Sequence, residues 1–451
     1  MRKIFLSVAC IAIAMLSACS QEKKAEESQV SYAQQMIASH GLGDFYCNRS
    51  YHDSLSTVMW DYVSGLVANA VLQAWEIYPE HEEYYRAVKA CADNSTNADG
   101  TQILNAKGEN ALRPSNIDDL PAGNVYFALY QEEMRRGHTA EAERYRTAAS
   151  LIRNQLKNDH ERIAKGLPGE GGFFHKAIYP NQMWLDGLFM GSPIYARWQH
   201  FFGESSDMES WSDIALQFKT IHRYTYDEEN QLNYHAWSAT PEDANSFWAR
   251  REEPHKGCSQ EFWGRGMGWY FAALVDVLEY MPRTHPDFAA VHEILNQVAA
   301  GLARRQDAAS GVWYQLLQYD ATKQADGIGD KVGDQTYNVG TQANYLEASC
   351  SGIFTYAYLK GIRLGLLDKS TYMPVAEKAY EGLVKQFIRP RQDGKIDIIQ
   401  TCASAGLGPA KDPSRTGTAN YYLAGKDITV VENEGKAIGT FIMASVEWER
   451  K

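Results

Sequence analysis

The chain has 451 residues, 45% hydrophobic and 12% aromatic, which is enough apolar material for a large core. Its formal net charge of -12 argues against nucleic acid as a partner, and an acidic ligand would need locally placed cations. Past Cys19 the cysteines are Cys47, Cys91, Cys258, Cys350 and Cys402, an odd set without a CxxC pair. Neither a disulfide framework nor a zinc site follows.

The first residues, MRKIFLSVACIAIAMLSACS, read as a targeting signal. Arg2 and Lys3 form a basic n-region, and Ile4 to Met15 an apolar run too short to span a membrane. Leu16-Ser17-Ala18-Cys19 resembles the lipobox of bacterial lipoproteins, which implies cleavage before Cys19 and lipidation of its sulfur. Residues 1–18 are then a signal peptide and residues 19–30 a polar tether. Simple secretory cleavage near Ala18 is the other reading, and both export the body.

From residue 31 onward no linker is evident, and helical periodicity recurs. The pattern predicts helices over Thr57–Trp75, Glu82–Ala92, Asp118–Arg136, Thr139–Lys157, Trp184–Phe202, Met208–Tyr224, Trp263–Tyr280 and Ala289–Arg305. Tyr345–Leu366, Tyr372–Phe387 and Gly435–Trp448 follow, the last without an obvious partner. In each pair the first helix is apolar and rich in Gly and Ala, and the second is amphipathic. An all-round apolar helix is buried and a striped one lies at the surface. The alternation predicts an all-α fold, an α/α barrel with an inner ring, in a single domain over 31–451. A superhelical solenoid is the competing arrangement. Strand signals are confined to short stretches such as Gly311–Leu317 and Asp427–Val431.

Polar and aromatic residues gather where the inner helices are expected to begin: Tyr62, Asp118 with Asp119, Asp186, then Trp263, Arg265 and Trp269. Parallel inner helices would bring these starts to one rim. Asp186 lies within the apolar run MWLDGLFM, where burial disfavours the charged carboxylate and its pKa is expected to rise, as a general acid requires. Helix capping alone also explains an Asp there. Asp118 and Asp119 fit the first turn of a helix equally well. In CSQEFWGRGMGWY, glycines flank Arg265 and permit a close backbone approach, while Trp263 and Trp269 offer flat faces for a sugar. His175 and His235 are set among aromatics. Together with Trp184 these residues would line a cleft suited to a sugar, since no Gly-rich phosphate loop occurs. His175, Asp186 and His235 lack metal-ligand spacing, so neither a metal nor another cofactor is expected.

The segments GGFFHKAIYPNQMWLDGLFM, YHAW, FWGRGMGWYFAALVDVLEYMP, GVWYQLL and NYLEASCSGIFTYAYLKGIRLG closely resemble glycoside hydrolase family 105, which is related to family 88. The resemblance runs from about Tyr62 to Ala444. It implies an (α/α)6 barrel without metal, acting as an unsaturated rhamnogalacturonyl or glucuronyl hydrolase. The implied partner is an oligosaccharide whose non-reducing end carries the 4,5-unsaturated uronic acid left by polysaccharide lyases. It assigns the general acid/base to Asp186 and the second aspartate to Asp118. His175, His235, Trp263, Arg265 and Trp269 fall at positions that line the sugar site, with Tyr62 beside them. The sequence departs from the common pattern at Cys350-Ser351, in an insert between Tyr319 and Asn338, and between Ala92 and Ala111. The implied chemistry is hydration of the C4=C5 bond, with Asp118 holding Asp186 protonated and Arg265 meeting the uronate. The alternatives are an inverting glycosidase using Asp186 as acid and Asp118 as base, or a glycan-binding lipoprotein without activity. An exported monomer on the periplasmic side or outer membrane of a Gram-negative bacterium is expected.

Overall fold

The computed structural model describes residues 30–41, 60–105 and 107–451. The signal sequence, Cys19, Cys47 and the tether up to residue 29 lie outside the described residues. Helix α1 spans Tyr32–Ser39 and α2 spans Tyr62–Ile77. Asp61 starts α2 by accepting a bond from the Ser64 N–H at 2.8 Å, which satisfies one of the orphan donors of the first turn. Leu66, Val67, Val71 and Leu72 are buried on different faces of α2, so the helix is enclosed on all sides. Its successor α3, Glu82–Asn94, buries Tyr84, Tyr85 and Val88 and turns Arg86 outward.

The same alternation continues through α4 (Val125–Arg135) with α5 (Thr139–Asn154), and α6 (Leu185–Phe202) with α7 (Met208–Thr225). It then repeats in α8 (Gly264–Tyr280) with α9 (Phe288–Arg305), and α10 (Ala348–Arg363) with α11 (Lys369–Phe387). A short α12 (Ala419–Ala424) precedes α13 (Gly435–Glu449). The first members pack side by side in sequence, and α13 returns to pack along α2. The ring closes, so the arrangement is an (α/α)6 barrel and not a solenoid. The partner missing from the sequence reading of α13 is α1, from the opposite end of the described chain. Tyr32 meets Phe441 edge-on at 6.2 Å there.

Two elements differ from expectation. The helix predicted from Asp118 begins at Val125. Residues Ile117–Asp119 and Pro121–Asn124 form two tight 3₁₀ turns instead, since Pro121 cannot donate to a helical ladder. Gly311–Leu317 is extended but pairs only through isolated bridges, Tyr314 with Leu346 and Leu316 with Trp263. Among the described residues no helix is long and apolar enough to cross a membrane. The insert after Tyr319 contains a small hairpin, Asp330–Val332 paired with Gln335–Tyr337.

Candidate active site

The start of α6 is fixed by a two-stranded ribbon. Gln182–Trp184 pairs antiparallel with Ala236–Ser238, and the Leu185 N–H, an orphan donor of the first turn, donates to the His235 carbonyl at 2.9 Å. This places the His235 ring beside Asp186, with Nε2 at 2.8 Å from Oδ2. The other ring nitrogen, Nδ1, lies 2.5 Å from the Tyr422 hydroxyl on α12. His235 is completely buried, whereas the Asp186 side chain keeps 13% exposure and can be reached. Asp186 does not cap the helix. Trp184 holds the cap position without a side-chain bond, and Asp186 lies in the first turn.

The expected rise in the Asp186 pKa is corrected by this contact. Burial does push the carboxyl up, but the charge of His235 and its hydrogen bond outweigh burial, with His175 adding to them. The net direction is downward. Asp118 acts in the direction foreseen and is outweighed.

The adjacent carboxylates Asp118 and Asp119 have separate surroundings. Asp119 is buried and clamped by Arg113, whose Nη2 donates to Oδ1 at 2.5 Å and whose backbone N–H donates to Oδ2 at 2.9 Å. Asp118 faces the cleft, paired with Lys176 and 3.7 Å from His175 Nε2. His175 stacks on Trp184 with ring centres 4.4 Å apart. Burial and then Lys176 hold its pKa well below the usual histidine range, so the ring is neutral near pH 7.

A cleft of about 650 Å³ opens at this mouth, between the starts of α2 and α13 and the turn carrying Asp118. Trp60, Tyr62, Asn110, Arg113, Ser404 and Lys436 are among its walls. Tyr62 is within electrostatic reach of Asp118, Asp186 and Arg265, so the inner-helix starts do converge. The aromatic lining is thinner than expected. Trp184, Trp263 and Trp269 are buried, and Trp269 packs on Phe189 at 4.6 Å and edge-on to Tyr62 at 6.5 Å.

Arg265 is buried as well. Its Nη1 donates to the Cys402 carbonyl at 2.5 Å and to Ser349 Oγ at 3.2 Å, lies 3.8 Å from Glu347, and its guanidinium sits over Trp263 at 4.9 Å. The glycines around it serve protein contacts. A Cβ on Gly266 would come within 3.0 Å of the His235 ring, and one on Gly264 within 2.9 Å of Cys350 Sγ. Sequence reasoning missed Lys176, Lys436 and Tyr422. Lys176 adjoins His175 within a motif already singled out, but Tyr422 reaches His235 across 187 residues. Among the described residues no group of three or more His, Cys, Asp and Glu side chains is arranged for a metal ion.

A closed ring of helix pairs with a sugar-sized, acid-bearing cleft at one mouth defines a helical-barrel glycoside hydrolase. The model of glycosyl hydrolase family 88 matches residues 31–326 and 334–451, and the chain belongs to this family. The break in that match falls inside the insert after Tyr319. A solved glycoside hydrolase from family 105 of C. acetobutylicum ATCC 824 is 34% identical, with a TM-score of 0.75 over 93% of this chain and 100% of that one. The unsaturated rhamnogalacturonyl hydrolase YesR of Bacillus subtilis is 25% identical over 57% of this chain and 64% of its own length. The unsaturated 3S-rhamnoglycuronyl hydrolase of Formosa agariphila is 24% identical over 55% of this chain and 58% of its own.

Proposed function

We propose that this hydrolase removes a 4,5-unsaturated uronic acid from the non-reducing end of lyase-generated oligosaccharides by hydrating the C4=C5 bond. The observation that carries the reading is the Asp186–His235 pair, one accessible carboxyl hydrogen-bonded to a buried imidazole at the inner-helix starts. The names of the rhamnogalacturonyl and rhamnoglycuronyl relatives point to the same substrate class.

The pair must hold one proton to act. A bound uronate brings a negative charge to the cleft, which raises the affinity of Asp186 for that proton and draws it from the His235 side. Asp186 delivers it to C4, leaving positive charge shared by C5 and the ring oxygen. Water then adds at C5 and gives its proton to the Asp186 carboxylate, restoring the acid. The hemiketal opens to a ketone at C5, and the former anomeric carbon, now a hemiacetal, releases the leaving sugar. Asp118 holds sugar hydroxyls with Lys176 and His175, Tyr62 packs against the ring, and Arg265 supplies positive potential to the uronate from behind Tyr62. Trp184, Trp263 and Trp269 support these groups from the buried side.

Turnover in heavy-oxygen water tests this. Label should appear at C5 of the opened uronate at early times, with loss of the ultraviolet band of the enoate and no label in the leaving sugar. Label at C1 with the double bond retained would instead establish an inverting glycosidase with Asp118 as base.

We also propose export as a lipoprotein anchored through Cys19, on the periplasmic side or outer membrane, supported by the basic, apolar and Leu-Ser-Ala-Cys sequence of the first residues. Palmitate labelling that persists in Cys19→Ser would reject it.

A further inference from the structure

Tyr422 takes no part in the steps above, yet its hydroxyl is the buried end of a line running Tyr422, His235, Asp186. It lies 2.5 Å from His235 Nδ1, and among the described residues His235 is the hydrogen-bond partner of that hydroxyl. The ring is also held firmly. Gln315 donates to the Tyr422 carbonyl at 3.2 Å and accepts from Trp263 Nε1 at 3.3 Å, while Trp263 stacks on Tyr422 with centres 5.9 Å apart.

We propose that Tyr422 is a positioning residue that fixes which nitrogen of His235 carries the proton, and so sets the pH above which the Asp186–His235 pair stops delivering one. A phenol O–H donating to Nδ1 satisfies both groups and leaves the proton of neutral His235 on Nε2, aimed at an Asp186 carboxylate. When the pair holds its working proton as an imidazolium, the form from which it is drawn to Asp186, Nδ1 is N–H and Tyr422 must turn from donor to acceptor. Its own O–H then points at no acceptor, and an unmet buried donor is costly. Tyr422 therefore favours the pair without the extra proton.

The surroundings do not supply a substitute. Asp186 is faced by His235, by His175 from the loop before the ribbon, by Asp118 from the 3₁₀ turn and by Tyr62 from α2. His235 is faced by Asp186, His175 and Tyr422, with Trp184 and Trp263 on its flanks. Near Tyr422 itself are Tyr421, Glu261 and Cys402, and burial pushes the Glu261 carboxyl up to about 7.

This proposal rests on the hydration reading for its kinetic arm only. Tyr422→Phe keeps the ring and removes the hydroxyl. Its kcat–pH profile should show the alkaline limb moved upward by about half to one pH unit, with KM changed less than twofold. An unmoved or downward-shifted limb would overturn the proposal, because a purely structural loss lowers kcat at every pH alike. Nitrogen-15 spectra of histidine-labelled wild-type enzyme, with His235 assigned by its loss in His235→Asn, give a readout free of catalysis. For neutral His235 without substrate the Nε2–H form is expected, and the Nδ1–H form would overturn the assignment even if Tyr422→Phe did not fold. Activity retained by Asp186→Asn would defeat the hydration reading while leaving this spectroscopic test intact.

Discussion

The two mouths of the barrel are built from the same ring of inner helices and handle charge differently. At the cleft mouth the helices present their N-terminal ends, with Asp61, Asp186, Glu347 and Glu434 at or near the caps. At the far mouth, where the C-terminal ends lie, Lys360 bonds Asp276 at 2.6 Å and Glu279 at 2.8 Å. Arg363 and Arg450 share Glu447 there, and a space of only about 80 Å³ remains. The caps at the cleft mouth suit the helix dipole, as do Lys360 and Arg363 at the far mouth, where Asp276, Glu279 and Glu447 run against it and are met by those cations. The difference is completeness. The far mouth is closed by charge partners, whereas the cleft mouth leaves Asp186 and Asp118 reachable and set against histidines. Pairing alone therefore does not mark a site; pairing that stays open to a ligand does.

The largest effect should come from the open side. Asp186→Asn should lower kcat by about 10² to 10⁴ or more while Tm stays near that of the wild type, measured by loss of enoate absorbance and by thermal melts. A folded variant with most of its activity would remove Asp186 from the mechanism. The closed side should respond in the reverse sense. Lys360→Met strands Asp276 and Glu279 and should cost about 3 to 5 kcal/mol in urea unfolding, with kcat/KM of the folded fraction unchanged.

Arg265 tests whether one residue belongs to both kinds. Arg265→Ala should raise KM about tenfold and also destabilise the protein, because it removes the cation proposed to face the uronate and leaves buried Glu347 without its paired charge. Glu347→Gln breaks the same pair and should lose stability with KM little changed. Equal KM values in the two variants would make Arg265 purely structural. On a finer scale, Asp118→Asn should lower kcat/KM about tenfold at nearly constant stability. Asp119→Asn should cost about 1 to 3 kcal/mol through its buried bonds to Arg113, with kinetics preserved.

A pH-dependent effect lies on the outer ring, in α7, where His222 Nδ1 meets Asn233 of the loop leading to His235 at 3.3 Å. Burial holds His222 down to about 4, its Nε2 bonded to Gln297 at 2.8 Å. The unfolded chain protonates this histidine near the ordinary 6.5, so its contribution is full above that pH and is lost as pH falls toward 4. His222→Gln should flatten the stability–pH curve in that window; an unchanged slope would mean that other groups dominate there.

Much of this was legible in the sequence. The apolar and striped helices alternate plainly enough that α6 through α9 begin and end within one or two residues of the periodicity. The convergence of Tyr62, Asp118, Asp186 and Arg265 followed from the same pattern. What could not be read is tertiary. The direction of the Asp186 shift depends on His235, which lies 49 residues away and is brought there by strand pairing. The glycines of WGRGMG signal close approach, but the sequence does not say whether to a ligand or, as found, to His235, Cys350 and Ile353. Asp118 and Asp119 are chemically alike in the chain and diverge only because the 3₁₀ turn points one at Arg113 and the other at the cleft.

The pairing of α1 with α13 carries a consequence for how the protein is made. Ser39 at the end of α1 also receives the Ile396 N–H on its hydroxyl at 3.0 Å, so the seam joins segments 357 positions apart. Every other helix pair is a local hairpin that can form as soon as its second strand of sequence is available. The seam alone must wait for residues 435–449, and contacts of such long separation form slowly. Ring closure is then expected to come late in folding, and a chain truncated before residue 435 is expected to leave the flanks of α2 and α10 uncovered, which limited proteolysis would detect.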